Sequence, residues 1–319
     1  MVTLDTFMTP YALQPLGDTQ RSIALMAPAG AVNPTRLEAT CQLLTTLGYR
    51  FHITTHAGAH HRYLAGTVAQ RLDDLYEAFT VPDVAAVWCL RGGYGCAQLI
   101  GKIDWHQLPD IPLLGYSDIS ALLSAFHVRG RQAIHAPVAT ELLKAVADQG
   151  TPPDDTRQRQ ASMNTIAPVL AGQPGWMPAR HVAGTAHPIE GTLIGGNLTT
   201  LASLAGTRAA LYVPEQAILM LEDVGERLYR LERSLCQLLE SVDLTRLRAV
   251  CLGSFTHCES PGSDTTLEQV LAEWLAPHNI ALYHHLPFGH GPQNQAWPVG
   301  RWARLASNTL HWESDHTPG

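Results

Sequence analysis

A continuous apolar run at residues 84–90 is the feature that most constrains how this chain folds. Runs of this kind are typical of a central strand in a parallel sheet, because helices cover both of its faces. Shorter apolar runs alternate with segments of helical periodicity on both sides of it. The expected strands are 23–26 and 49–54, and the expected helices begin at Pro34, after Asn33 as cap, and at Thr67. This alternation predicts a doubly wound α/β domain with a parallel sheet.

The length of 319 residues exceeds what one hydrophobic core usually serves, so we expect two domains. Composition changes from about residue 149 to 188, a stretch rich in Pro, Gly, Gln and Asp that we interpret as the crossing between them, with one helix around 162–170. We predict an N-terminal α/β domain at 1–165, an inter-domain crossing at 166–188 and a C-terminal domain at 189–319. The second half predicts a smaller α/β or barrel-like sheet, with strands near 191–194, 217–221, 249–253, 281–284 and 297–305 and helices from Leu198, Leu228 and Thr265.

Charge and cysteine content exclude some classes of function. The formal net charge of −7 argues against a nucleic acid or an anionic membrane as the main partner. Six cysteines are scattered without a repeated short spacing, which is typical of reduced core residues in a cytosolic protein. No signal peptide is evident at the start, and no apolar run is long enough to span a membrane. We therefore expect a cytoplasmic protein.

A serine stands at the expected junction of a strand and a helix. An apolar run ends at Gly115, Ser117 follows, and Ile119, Leu122 and Phe126 recur at helical spacing. Such a turn exposes a serine hydroxyl and directs the first helical N–H groups at a developing oxyanion. The usual nucleophile-elbow pattern has glycine where Ile119 stands. The alternative is that Ser117 or Asp118 only caps the helix.

Three other segments carry candidate chemistry. The Arg-Gly-Gly-Tyr-Gly motif at 91–95 follows the most apolar strand, and its glycines let backbone N–H groups approach an anion, although it is also a plausible tight turn. The strand at 219–226 ends in acidic residues, where a carboxylate can orient an imidazolium or, at Asp223 or Glu226, simply favour a helix start. His290 lies between two glycines, which suits a general base as well as an ordinary loop histidine.

Histidine clusters also raise the question of a metal. His56, His60 and His61 lie close together and His284 precedes His285, but no His-Glu-x-x-His motif or paired Cys-x-x-Cys motif is present. Spacing of this kind is weak evidence for zinc. We therefore expect neither a metal nor another cofactor.

Taken together, these motifs resemble the LD-carboxypeptidase family, the serine peptidases that include muropeptide LD-carboxypeptidases and the microcin C immunity proteins. The segments that carry the resemblance occur in the family's order: 24–30, 91–95, 115–119, 195–198, 221–226 and 287–290. They span most of the chain, from about residue 23 to 304. The resemblance implies an N-terminal sheet domain of the class I glutamine-amidotransferase type and an active site formed by both domains.

The resemblance also implies a catalytic triad of Ser117 as nucleophile, Glu222 as acid and His290 as base. The backbone N–H of Asp118, with that of Gly93 or Tyr94, is then expected to form the oxyanion hole.

The family's known substrate is a murein tetrapeptide from which the terminal D-alanine is released, a step of peptidoglycan recycling in the cytoplasm. Arg91 and Asn197 are candidates for binding the peptide carboxylate. The resemblance further implies a homodimer that needs no cofactor.

Two other functions remain open at this point. An immunity-type enzyme would cleave an amide between an amino acid or peptide and a nucleotide, but those members are generally longer around the recognition loop than this compact chain. A non-catalytic peptide-binding relative would be expected to have lost one of the three triad residues, and all three are present.

Overall fold

The computed structural model describes residues 22–146, 154–185, 188–259 and 264–314. The chain forms two compact units. The described residues of the first fall within Met1–Ile119, Ile134–Gly172 and Pro292–Trp297, and those of the second within Ser120–Ala133, Gln173–Gly291 and Pro298–Gly319. The domain boundaries expected from the sequence, at 165 and 188, stay a prediction.

Both units contain helices and strands. The strands are β1 Ser22–Met26, β2 Phe51–Ile53, β3 Val84–Cys89, β4 Leu113–Gly115, β5 Ala133–His135, β6 Gly175–Pro178, β7 Arg180–Ala183, β8 Ile189–Asn197, β9 Ala217–Val224, β10 Leu247–Thr256, β11 Ala281–His284, β12 Trp297–Val299, β13 Trp302–Ala306 and β14 Thr309–Trp312. The helices are α1 Pro34–Thr46, α2 Val68–Thr80, α3 Ala97–Ile100, α4 Ser120–His127, α5 Asp154–Met163, α6 Ile166–Leu170, α7 Leu198–Ser203, α8 Leu228–Glu240 and α9 Leu267–Leu275.

The first sheet has the strand order β12-β5-β4-β3-β1-β2. Strand β3 is buried at every position and pairs in parallel with β1 and β4, which confirms the central strand predicted from the apolar run. Helix α1 begins as predicted, because the Asn33 side chain accepts a hydrogen bond from the Arg36 N–H and Pro34 occupies the first turn. A capping box at Thr67 and Gln70 starts α2. The predicted doubly wound α/β unit is confirmed.

The second sheet has the strand order β6-β14-β13-β8-β9-β10-β11-β7. Its inner strands β8, β9, β10 and β11 are parallel, and the pairs β8–β13, β13–β14, β14–β6 and β11–β7 are antiparallel. Leucines from β9, α7, α8 and α9 pack into one hydrophobic cluster beside it. The expected α/β architecture with two sheets is therefore present.

Two expectations about elements are wrong. Within 149–188 we expected a crossing with one helix near 162–170, whereas its described residues also include α5 and the strands β6 and β7; residues 149–153 and 186–187 lie outside the described residues. The single strand expected at 297–305 is two strands, because Gly300 takes a positive φ of 87° and interrupts it. Strand β12 belongs to the first sheet and β13 to the second.

In the described part of the chain, no helix combines the length and the apolar character that crossing a membrane requires.

Candidate active site

Ser117 lies at a strained turn immediately after β4. Its φ is +65°, a conformation that is uncommon for residues other than glycine. A 3₁₀ turn at Ser117–Ile119 follows and continues into α4, so the predicted strand, turn and helix are present. Ile119 stands where the usual elbow has glycine, and its side chain packs against Gly115: a Cβ on Gly115 would lie 2.9 Å from Ile119 Cγ2. The small residue that this turn needs is therefore Gly115, two positions before the serine.

The glycine motif at 91–95 lies against the Ser117 side chain. A Cβ built on Gly92 would be 2.7 Å from Ser117 Cβ and 2.9 Å from its Oγ. Gly93 has a φ of +118° and Gly30 donates its N–H to the Gly92 carbonyl at 3.1 Å. These contacts explain why glycine suits this position, since any side chain at position 92 would displace the serine or the loop.

Two predicted site residues in this loop have exposed side chains. The Arg91 guanidinium donates from Nη1 to the Ala31 carbonyl at 2.6 Å. The Tyr94 ring is half-exposed and lies 5.9 Å from the Tyr63 ring, centroid to centroid. Their expected roles, carboxylate binding by Arg91 and a backbone oxyanion contact by Tyr94, stay predictions.

The sequence reasoning missed a buried pair of charged residues in the same unit. The Asp118 carboxylate accepts a hydrogen bond from the Cys96 N–H at 2.9 Å, and Arg71 donates from Nη1 to the Gly95 carbonyl at 2.9 Å. Burial raises the pKa of Asp118, and the bond from Cys96 and the charge of Arg71 partly offset this rise. The signal available in the sequence was the helical spacing that places Arg71 on the buried face of α2, with Leu75 and Ala78.

Glu222 and His290 form a short hydrogen bond in the second unit. Glu222 lies near the end of β9, and its side chain is fully buried. Its Oε2 is 2.6 Å from His290 Nδ1. Burial raises the pKa of Glu222, and the bond with His290 acts in the opposite direction. With Glu222 ionised, its carboxylate only accepts hydrogen bonds, so Nδ1 is then the protonated ring atom and Nε2 the atom that can accept a proton. This is the arrangement by which an acid orients a catalytic base.

Two further Glu–His pairs occur among the described residues, and both are more exposed than the Glu222–His290 pair. Glu77 contacts His52 at 2.6 Å and Glu268 contacts His284 at 3.1 Å. Their glutamate side chains are 27% and 34% exposed, against 0% for Glu222. Water therefore screens the Glu77–His52 and Glu268–His284 pairs, whereas the exclusion of water from Glu222 strengthens its electrostatic effect on the imidazole.

Backbone packing fixes this pair further. Gly289, next to His290, has a φ of +106°, and a Cβ there would lie 2.7 Å from Glu222 Cβ. The Ser254 N–H donates to the Phe288 carbonyl at 2.7 Å, which ties the segment before His290 to β10. The histidine loop is thus held against the strand that carries the acid.

Asn197 is buried at the end of β8, in register with Glu222 on β9. Its Oδ1 caps α7 by accepting from the Thr200 N–H at 3.0 Å, and its Nδ2 donates to Asp223 at 3.1 Å. Asp223 also accepts from the Thr199 N–H at 2.9 Å. Both ends of the Asn197 amide thus have partners within the protein, and its expected contact with substrate stays a prediction.

The structure therefore brings the predicted residues together in two groups. Ser117 and Asp118 lie with the glycine motif in the first unit, and Glu222, His290 and Asn197 lie in the second. Among the residues that the structure describes, no group of three His, Cys, Asp or Glu side chains is placed to hold a metal ion.

Comparison with known families and proteins gives consistent matches over both units. Residues 23–136 match the LD-carboxypeptidase N-terminal domain, and residues 190–305 match the LD-carboxypeptidase C-terminal domain. The chain is 51% identical to a murein tetrapeptide carboxypeptidase of Pseudomonas aeruginosa, over 91% of this chain and 94% of that protein.

Solved structures agree in fold. The muramoyltetrapeptide carboxypeptidase of Oxalobacter formigenes is 28% identical with a TM-score of 0.75, over 92% of this chain and 99% of that one. The microcin C7 self immunity protein MccF in its wild-type apo state has a TM-score of 0.81 over 94% of this chain and 97% of that one. Its identity is 18%, so this second likeness shows a common fold alone.

Proposed function

Because this chain belongs to the LD-carboxypeptidase family, we propose that it is a serine-type murein tetrapeptide carboxypeptidase that releases the terminal D-alanine. The observation that carries the chemistry is the 2.6 Å bond between the fully buried Glu222 and His290 Nδ1. It prepares the imidazole to accept a proton at Nε2.

The proposed mechanism has two steps. Ser117 Oγ attacks the carbonyl carbon of the L,D-amide and gives its proton to His290 Nε2, which passes it to the leaving amine of D-alanine. Water then attacks the resulting acyl ester, again with His290 as base, and releases the shortened peptide and free Ser117. Glu222 holds the imidazole tautomer throughout and stabilises the imidazolium charge.

The glycine loop supplies the proposed oxyanion hole. Its donors are the backbone N–H of Asp118 and that of Gly93 or Tyr94. The contact between Gly92 and the Ser117 side chain supports this assignment, because it keeps the loop next to the nucleophile. Each such donor contributes about 3 kcal/mol to stabilising the transition state.

The cellular setting belongs to the same proposal. We propose that the enzyme acts in the cytoplasm, in peptidoglycan recycling, as a homodimer. The six cysteines, all free thiols, support a reducing compartment. For recycling and for the dimer, the support is the family resemblance alone, and light scattering on the purified protein tests the dimer.

The substrate assignment is tested by a side-by-side comparison of kcat/KM. The substrates are a murein tetrapeptide ending in D-alanine, the same peptide ending in L-alanine, and an aminoacyl sulfamoyl nucleoside. We expect turnover of the first, with a loss of at least about 10²-fold for each of the others. Preference for the nucleoside would instead assign an immunity-type activity, and turnover of none of them would favour a binding protein.

A further inference from the structure

One peptide group in the first unit is held from both sides by buried, oppositely charged side chains. The carbonyl of Gly95 accepts from Arg71 Nη1 at 2.9 Å, and the N–H of Cys96 donates to Asp118 Oδ2 at 2.9 Å. These two backbone groups belong to the same peptide bond. A cation thus lies at the negative end of the peptide dipole and an anion at its positive end.

Burial makes this arrangement stiff. Arg71 has no exposed surface, and Asp118 and Cys96 are buried as well. Arg71 also donates to the Pro28 carbonyl at 2.8 Å and to Gln98 Oε1 at 2.6 Å, so it joins the loops that follow β1 and β3. Buried charges of this kind are costly unless they are paired and hydrogen-bonded. Moving the peptide would leave both charges without these partners.

The held peptide lies at the end of the glycine loop, and the residue that holds its N–H directly follows the nucleophile. Gly95 has a φ of +132°, and a Cβ there would lie 2.5 Å from Arg71 Nη1. At the other end of the loop, Gly92 contacts the Ser117 side chain. The Asp118 side chain therefore fixes the loop to the turn that carries the serine.

We propose that Arg71 and the Asp118 carboxylate are positioning residues, which hold the loop at 92–95 so that its N–H groups face the oxyanion formed at Ser117. This inference rests on the proposed function, since it assigns a role to that site. It adds a side-chain role to Asp118, whose backbone N–H is itself an expected donor. Loss of either side chain should lower kcat and leave substrate affinity unchanged, because the loop acts only on the charge that develops during reaction.

The experiment compares Asp118→Ala and Arg71→Met with wild type in three measurements. The first is kcat and KM for D-alanine release. The second is the rate at which a fluorophosphonate modifies Ser117, a reaction that also develops negative charge on an oxygen. The third is tetrapeptide affinity in a Ser117→Ala background, by calorimetry. We expect kcat and the modification rate to fall about 10²-fold together, with affinity unchanged within about twofold.

Asp74→Asn is the matched control. Asp74 is a buried carboxylate one turn after Arg71 on α2, and it accepts from the His56 N–H and the Thr54 hydroxyl, both at 2.8 Å. It holds the loop after β2 and not the glycine loop, so its loss should affect stability but neither rate. If the alanine or methionine variant does not fold, two milder variants replace them. Asp118→Asn keeps a hydrogen-bond acceptor and Arg71→Lys keeps the positive charge, and each should lose about tenfold in both kcat and the modification rate.

The outcomes separate this inference from the proposed function. Folded variants that keep both rates within about twofold of wild type overturn it, and so do variants whose only defect is weaker peptide binding. If wild type reacts with the fluorophosphonate but releases no D-alanine, the substrate assignment fails, while the modification rates of the variants still decide the positioning role.

Discussion

Gly92 lies directly against Ser117, since a Cβ built on the glycine would be 2.7 Å from the serine Cβ and 2.9 Å from its Oγ. Both the predicted nucleophile and the predicted oxyanion loop therefore depend on the absence of one side chain. Both residues belong to the first unit.

Gly92→Ala should lower kcat by about 10²-fold, because the added methyl group must displace the serine or the loop. The measurement is D-alanine release at saturating tetrapeptide. Gly101→Ala is the control, since a Cβ at Gly101 meets nothing within 4 Å. Full activity of Gly92→Ala would mean that the loop is not held against the nucleophile.

Glu222→Gln should lower kcat by about 10³-fold or more with little change in KM, because glutamine does not stabilise the imidazolium or fix the tautomer in the same way. Glu268→Gln is the matched control, because it alters another Glu–His pair, 3.1 Å apart and more exposed. Equal losses in the two variants would contradict the assignment of Glu222 as the acid of the triad.

The strain at Ser117 predicts an effect on stability with an unusual sign. At a φ of +65°, Ser117→Gly should be more stable than Ser117→Ala by about 1 kcal/mol in the free energy of unfolding. At Ser124, inside helix α4, the order should reverse by about the same amount, because glycine is unfavourable there. Urea unfolding of the four variants gives both differences. The same order at both positions would argue against strain at the serine.

Asp118 should make stability depend on pH. Burial raises its pKa above the ordinary 3.8, so the folded protein binds this proton more tightly than the unfolded chain does. Its contribution to stability is therefore present below the unfolded pKa and is lost as the pH rises through the folded pKa. Asp118→Asn lacks this titration, so its stability relative to wild type should rise with pH across that window. Urea unfolding from about pH 4 to about pH 7 tests this, and a constant difference would contradict it.

Much of the fold was predictable from local patterns. The buried run of β3 and the capped start of α1 at Asn33 and Pro34 both carry strong local signals, and both are present. Strands β6 and β7 were missed because they are short, and their pairing partners, β14 and β11, are distant in sequence. The break at Gly300 was missed because a single glycine in an apolar run does not by itself reveal a change of sheet.

In the candidate site, too, some residues were predictable from the sequence and others were not. Ser117, Glu222 and His290 could be predicted as site residues because each stands at the end of an apolar run, in motifs that resemble those of a known family. Arg71 and the Asp118 carboxylate were not identified, because their partners are the backbone groups of Gly95 and Cys96, 24 and 22 residues away. Hydrogen bonds from side chains to distant backbone leave no pattern in one sequence.

The most direct test of the central claim is release of D-alanine from purified murein tetrapeptide by wild type and Ser117→Ala, both assayed with a chelator. We predict release by wild type alone, undiminished by the chelator. Release by Ser117→Ala at the wild-type rate, or loss of wild-type activity on chelation, would contradict a serine peptidase that uses Ser117, His290 and Glu222.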